Sequence, residues 1–264
     1  MTMKKMYVCK DHHRVLLPWA WTRRSHQKLN LLTLDHHTDT IEAFCRYLYH
    51  HKDEALDELI AQIDFHDDAT IRRAIAKLRN DEHIDTAIRC GILQKAFVIS
   101  YAGMSDNPPS NEFTEMTRNA ETFARVALGQ IPQPKDRTYP DANLYTVGTD
   151  GYLGDENGVS DEFLKMMLSK AGAMGGFDIM QTEFILDIDL DYFHSYESFK
   201  RSDLTVFRHL LSAATAITIA TEPDFAYRDF DSDKILIDPE IILAEVIVLA
   251  KEELGDELEI INLQ

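Results

Sequence analysis

The stretch Phe184-Ile185-Leu186-Asp187-Ile188-Asp189-Leu190-Asp191 sets a carboxylate at every second position of an otherwise apolar run. Read as a strand, it puts Asp187, Asp189 and Asp191 on one face and Ile188 and Leu190 on the other. Left unpaired on a buried face, such carboxylates cost several kcal/mol each. A second stretch has the same construction: Leu31-Leu32-Thr33-Leu34 leads into Asp35-His36-His37-Thr38-Asp39, where Asp35, His37 and Asp39 alternate. An extended segment aims all three the same way. Near the start, Met6-Tyr7-Val8-Cys9 leads into Asp11-His12-His13. Short apolar runs that end in acids and histidines read as buried parallel strands whose carboxyl ends meet at one site.

Ala96–Tyr101, Asn143–Val147 and Ala216–Ala220 read as further buried strands, beside Met6–Cys9, Leu29–Leu34 and Phe184–Leu190. Helical periods lie between them. Ile41, Phe44, Cys45, Leu48 and Tyr49 recur at three- and four-residue spacing, with Leu56, Leu59 and Ile60 extending the stripe. Asp161 to Ala171 starts with acids and ends with a lysine before a glycine, and Asp238-Pro239 supplies an N-cap and first-turn proline for a helix ending near Leu254-Gly255. The alternation predicts an α/β fold of three α/β/α layers around a mostly parallel central sheet, as a single domain over residues 1–264. Two proline-rich stretches, Gly103–Asn111 and Ile131–Ala142, are expected to form the rim of a site.

The chain has 264 residues, with 45 Asp+Glu against 27 Lys+Arg and a formal charge of −18. That balance argues against a binder of nucleic-acid phosphates, whose affinity rests on Lys and Arg. The acid is concentrated: residues 151–264 hold 24 acidic and 8 basic side chains, and the first 150 residues are nearly balanced. Such a field serves solubility or attracts a cationic substrate. Cys9, Cys45 and Cys90 are an odd count without CxxC spacing, which fits a reducing cytoplasm. No signal peptide is evident, and the apolar stretch Ile241–Ala250 is far too short to span a bilayer. A soluble cytoplasmic protein is expected.

The acid and histidine clusters need a compensating charge, and divalent cations supply it. A site of one or two histidines with four or more carboxylates is oxygen-rich and favours Mn²⁺ or Fe²⁺ over the Cys/His-rich sites of structural zinc. Carboxylate excess suits two ions sharing bridging oxygens, and such pairs perform metal-assisted hydrolysis.

These residues resemble a known family. Asp35-His-His37-Thr-Asp39 looks like the Asp-x-His-x-Asp motif of the ureohydrolases, the arginase and agmatinase superfamily. Ile188-Asp189-Leu190-Asp191 looks like their later Asp-x-Asp strand, and Lys10-Asp11-His12 like the Gly-Asp-His that supplies the first ligand. The resemblance implies two Mn²⁺ ions, with Fe²⁺, Co²⁺ or Zn²⁺ as substitutes, held by His12, Asp35, His37, Asp39, Asp189 and Asp191. It implies hydroxide attack on a guanidinium carbon. Asp187 and Asp189 are the alternative ligand pair. The later pair is preferred because the family places a small polar residue two positions before it, a place Asp187 fills as a group that supports the ligands from behind or bridges them, with substrate contact also expected of it. Glu222, after the run Ala216–Ala220, resembles the family's substrate-facing glutamate.

The chain also departs from the family. The first strand–helix units are missing before Asp11, Lys10 replaces a glycine, and nothing after Asp39 matches the loop that grips free arginine. The pattern Leu186-Asp-Ile-Asp-Leu-Asp-Tyr192-Phe193 resembles a short branch that includes peptide arginases, which convert arginine side chains of ribosomally made peptides to ornithine. An arginine-containing precursor peptide is then the expected partner, with neither nucleic acid nor membrane. Asp39 and Glu222 are candidates for proton transfer or substrate contact, with His83 and His66 as looser ones. Trp19 and Trp21 are read as packing before groove lining, and His50-His51 as solvated. Rival readings are a ureohydrolase or amidohydrolase of a small molecule, a metal-dependent phosphoesterase, and an inactive binding scaffold. The phosphoesterase family with Asp-His-His also needs a Gly-Gly-Gly-His segment, which this chain lacks.

Overall fold

The computed structural model describes residues 3–100, 137–139, 143–148, 157–223 and 237–263. The apolar runs do form strands. β1 is Lys4–Cys9, β2 Asn30–Asp35, β3 Lys95–Ser100, β4 Arg137–Tyr139, β5 Leu144–Val147, β6 Phe184–Asp189, β7 Ala216–Ala220 and β8 Leu258–Asn262. Among the described residues they make one eight-stranded sheet in the order β4-β5-β3-β2-β6-β7-β1-β8. Every pairing is parallel except that of β4 with β5. β2, β6 and β7 are buried along their whole length, which is why they read as near-continuous apolar runs.

Helices cover both faces. On one lie α1 (Leu16–Arg23), α2 (Cys45–His50), α3 (Leu56–Ala61), α4 (Asp68–Ile75) and α5 (His83–Arg89). Their apolar sides, including Leu16, Trp19, Leu59, Ile71 and Ile84, pack on Leu31, Val98 and Ile185 of the sheet. On the other lie α6 (Asp161–Gly175), α7 (Thr205–Ala213) and α8 (Pro239–Leu254). Phe163, Met167, Phe207, Leu210, Ile242 and Val246 there pack on Leu32, Phe97, Leu186 and Ile217. The three α/β/α layers follow from strands that alternate which face each apolar side chain meets. Of the caps, the one at Asp238 is as the sequence reads it, while α6 runs past the expected end at Ala171 to Gly175 and starts from a cap at Ser160 that the sequence reading did not name. Ser160 accepts the Phe163 N–H at the start of α6, and Asp238 accepts the Glu240 N–H ahead of Pro239 in α8.

Two further details differ from the sequence reading, and a third expectation falls mostly outside the described residues. The stripe from Ile41 to Ile60 is not one helix: residues 41–44 precede the first helix, Cys45–His50, and a break at 51–55 separates it from Leu56–Ala61. β8 is an edge strand with a half-exposed pattern, so it lacks the apolar run that marks the others. Most of the two proline-rich stretches lies outside the described residues. No helix among the described residues is long and apolar enough to cross a membrane.

The topology fixes where a ligand can sit. From β2 the chain proceeds outward to β3 and β5, whereas from β6 it proceeds the other way to β7. β2 and β6 are nonetheless neighbours, so the sheet reverses direction between them. A crevice at the carboxyl ends of strands at such a reversal is the binding position of open α/β sheets. Asp35 and Asp189 end these two strands.

Candidate metal centre

Four chain segments arrive at that crevice. β1 ends at Cys9, and a 3₁₀ turn over His12–Val15 begins directly after Asp11, which turns the buried His12 inward. β2 ends on Asp35, β6 on Asp189, and β7 is followed by Thr221 and Glu222. The ends of β1 and β7 are stitched together: the Thr221 and Glu222 N–H groups donate to the Cys9 and Lys10 carbonyls, and the His12 N–H donates to Glu222 Oε1 at 2.8 Å.

His12 is the hub. Its Nδ1 lies 3.0 Å from Asp39 Oδ2, 3.1 Å from Asp189 Oδ2 and 3.8 Å from Asp35 Oδ2. Single ligand atoms from His12, Asp35, Asp39 and Asp189 all fall within 4.8 Å of one another, and so do those of Asp35, His37 and Asp191. Asp35 belongs to both groups. His37 Nδ1 is 3.0 Å from Asp191 Oδ2, and His37 is half exposed where the others are buried.

The convergence uses turns rather than the strict alternation expected from the sequence. Beyond Asp35 the segment bends, so Asp39 does not share an extended strand face with Asp35 and His37. Asp35 Oδ1 accepts the His37 N–H at 2.7 Å, and Asp39 adopts a left-handed φ of 45°. Asp191 sits in a 3₁₀ turn over Leu190–Tyr192, after β6 has ended, where Asp189 accepts its N–H. Glu222 is also left-handed, with φ 32°. Non-glycine residues in that region carry about 1–3 kcal/mol of strain and concentrate at functional sites.

The electrostatics call for a cation. Among the described residues, His12 Nδ1, Asp35 Oδ2 and Asp191 Oδ2 are buried without an aligned hydrogen bond, although His12 and His37 lie against acids at 3.0 Å. Each such atom costs about 1–3 kcal/mol. Burial, then the neighbouring Asp39, Asp191 and Asp189, holds the Asp35 carboxyl well above its usual range. Burial and Asp191 push Asp189 up to about 7, and burial and Asp189 push Glu222 up to about 9. Asp191 moves the other way: against burial, His37 holds it at about 2. Burial alone would lower His12, but Asp187 and Asp189 outweigh that cost and raise it well above its usual value. Orphaned buried oxygens beside an orphaned imidazole nitrogen fit a divalent ion, and the oxygen-rich donor set fits a moderately hard one. These buried His and Asp groups could bind a metal ion.

His83, of α5, joins the cluster from behind. A ring nitrogen of His83 lies within 4.8 Å of a His12 nitrogen and an Asp39 oxygen. Its ring is 4.3 Å from that of His12, Nδ1 donates to the Asn80 carbonyl at 2.6 Å, and Nε2 is buried with no hydrogen-bond partner among the described residues. Burial and the neighbouring His12 hold it neutral, well below the usual imidazole range. His66, His50 and His51 are exposed, so His66 is not in the site.

Asp187 corrects an expectation. It is fully buried, and its oxygens accept from Thr33, Thr218 and His12, so it offers no surface to a substrate. Trp19 is fully buried in the core and Trp21 packs on Tyr7, as packing residues do. Sequence reasoning missed Asn80, Thr33 and Thr218. The threonines do leave a signal, since Thr218 is the one polar residue of Ala216–Ala220 and Thr33 interrupts Leu31, Leu32 and Leu34.

The loop bearing His37 and Asp39 is held by acids at the start of α5. The Asp81 carbonyl accepts the Ile41 N–H, Asp85 the Ala43 N–H and Glu82 the Arg46 N–H, while Asp81 also pairs with the Arg46 guanidinium. In comparisons with known proteins, no family model and no curated sequence matches this chain.

Proposed function

We propose that the chain is a binuclear metallohydrolase of the ureohydrolase type that converts arginine side chains of a ribosomally made peptide to ornithine and urea. The observation that carries this reading is the pair of ligand groups, His12/Asp35/Asp39/Asp189 and Asp35/His37/Asp191, which share Asp35. They correspond residue by residue to the Asp-x-His-x-Asp, Asp-x-Asp and Asp-His motifs of that superfamily. Two Mn²⁺ ions bound there would supply hydroxide near neutral pH and polarise the carbon it attacks.

The chain's own residues support a cationic substrate. Asp35, Asp39, Asp189, Asp191 and Glu222 surround the crevice. Two divalent ions bound there would offset four of those negative charges, and a hydroxide would add one back. The site then stays net negative, and a guanidinium moves it toward neutrality. Glu222 Oε1 is occupied by the His12 N–H, and Oε2 has no partner among the described residues. That oxygen accepts a guanidinium N–H. An arginine side chain stays charged at every working pH, and the acidic field of residues 151–264 draws it in.

His83 handles the proton. With Nδ1–H committed to the Asn80 carbonyl, neutral Nε2 accepts a proton and passes it to the departing side-chain nitrogen. Water and the guanidinium together give urea and an ornithine ammonium, so atoms and charge balance.

Mass spectrometry of arginine peptides incubated with the Mn²⁺-loaded protein tests the reading. Loss of one CH₂N₂ unit per modified arginine, with free arginine and agmatine untouched, supports it. Turnover confined to free arginine or agmatine replaces it with a small-molecule ureohydrolase, and hydrolysis of phosphodiesters alone overturns it.

A further inference from the structure

The sheet carries a polar row that neither ligand group uses. Parallel register places Thr33 of β2 opposite Asp187 of β6, and Asp187 opposite Thr218 of β7. All three side chains are fully buried, as is Trp19 beside them. A carboxylate sealed among apolar strands costs several kcal/mol unless its lone pairs are filled. Here they are filled, and the direction of every proton is determined. Trp19 Nε1–H can only donate, and it donates to Thr218 Oγ1 at 3.0 Å. The Thr218 hydroxyl therefore turns its own hydrogen to Asp187 Oδ1. Thr33 donates to Asp187 Oδ2 at 2.9 Å. The remaining donor to Oδ2 is His12 Nε2, at 2.8 Å.

We propose that Trp19, Thr218, Thr33 and Asp187 form a positioning unit that commits His12 to its Nε2–H tautomer and aims Nδ1 into the first ligand group, so that metal affinity there is set from behind the sheet. The inference rests on the proposed metal centre. Its logic is that of a carboxylate–histidine–metal arrangement: the hydrogen bond at one ring nitrogen decides which nitrogen is free to bind. A neutral imidazole with the other tautomer would present N–H to the ion. Asp187 cannot rotate away, because both of its oxygens are held by residues on the flanking strands. Trp19 fixes Thr218 in the same manner, so the unit reaches from α1 through β7 and β6 to β2.

Calorimetric Mn²⁺ titration of the wild-type chain, Asp187→Asn, Thr218→Val and Thr218→Ser tests this. In Asp187→Asn the new side-chain amide can turn its NH₂ toward His12 Nε2 and favour the wrong tautomer. That variant is expected to weaken one Mn²⁺ site by about 10–100-fold and leave the site of His37 and Asp191 unchanged. Thr218→Val is expected to weaken the same site, and Thr218→Ser, which keeps the hydroxyl, to retain wild-type affinity. Thermal unfolding in EDTA provides the control, because a merely structural role would lower metal-free stability and both affinities together. Should Asp187→Asn fail to fold, the Thr218 pair decides. Wild-type affinity at both sites in Asp187→Asn or Thr218→Val overturns the positioning role while leaving the metal centre standing. A wild-type chain that binds no metal overturns both.

Discussion

Replacing Asp35 by asparagine should make the metal-free protein more stable and the metal-treated protein less so. Asp35 is fully buried, belongs to both ligand groups, and faces Asp39, Asp189 and Asp191. At the 4.8 Å outer limit of a group, two unit charges repel by about 3.5 kcal/mol at an effective dielectric constant of about 20. Part of that repulsion is already relieved by protonation, as the raised Asp35 and Asp189 pKa values record, and part by His12. About 2 kcal/mol remains to be recovered near pH 8, or roughly 4–8 °C in Tm for a chain of this size. The asparagine side chain keeps an oxygen that accepts the His37 N–H, so the loop geometry survives. With Mn²⁺ at a hundred times its Kd, the wild type gains about 2.7 kcal/mol per site, and Asp35→Asn gains none. Thermal unfolding followed by circular dichroism, in EDTA and then in Mn²⁺, reads both effects. The reasoning is refuted if Asp35→Asn is the less stable protein in EDTA, or if Mn²⁺ raises its Tm as much as that of the wild type.

The pH dependence of stability should reverse with metal. Asp189 at about 7 and Glu222 at about 9 lie above their unfolded values, so their contribution is present at low pH and lost as pH rises through those values. His37, raised to about 9 by Asp191 against the cost of burial, acts in the same direction. Metal-free Tm should fall between about pH 5 and 9, while Tm in excess Mn²⁺ rises, since ligands bind only when deprotonated; parallel curves would contradict this. Glu222→Gln keeps an oxygen for the His12 N–H but removes the charge facing a guanidinium. Its metal content should be unchanged and its kcat/KM for an arginine peptide lower by about 10²-fold, the scale of one charge-assisted hydrogen bond to the transition state. His83→Asn should likewise retain metal while kcat falls by about 10²–10⁴-fold, which steady-state kinetics will read. Gly175→Ala should cost about 1–3 kcal/mol by chemical denaturation, because a Cβ there would lie 2.5 Å from Phe97 and 2.8 Å from Tyr145 ring carbons.

Much of this architecture is legible in the sequence because buried parallel strands leave a strong pattern. β2, β6 and β7 are apolar on both faces, and interruptions such as Asp187 and Thr218 stand out against that background. The candidate ligand residues are legible for the same reason, since a carboxylate at the end of a buried apolar run must be matched by a cation or a donor. Their geometry is harder to read. Alternation along a strand suggests that Asp35, His37 and Asp39 share a face, but β2 stops at Asp35 and the left-handed φ of Asp39 returns the chain to the site. Nothing local in the sequence announces a positive φ at an aspartate. Asp187 reads as an alternative ligand because its spacing equals that of Asp189, and only the neighbours on β2 and β7 and His12 reveal that its oxygens are consumed. His83 belongs to a helix far along the chain from Asp39, and no motif links the two. β8 and the break between α2 and α3 escape because half-exposed strands and short helices carry weak periodicity.

The number of metal ions per chain tests the central claim most directly. Equilibrium dialysis against Mn²⁺ followed by elemental analysis should give two ions for the wild type. His37→Ala removes a ligand from the Asp35/His37/Asp191 group alone and should leave one ion, with arginine-peptide turnover abolished. A wild-type chain holding no tightly bound ion, or a His37→Ala variant that keeps two ions and full activity, would contradict the account.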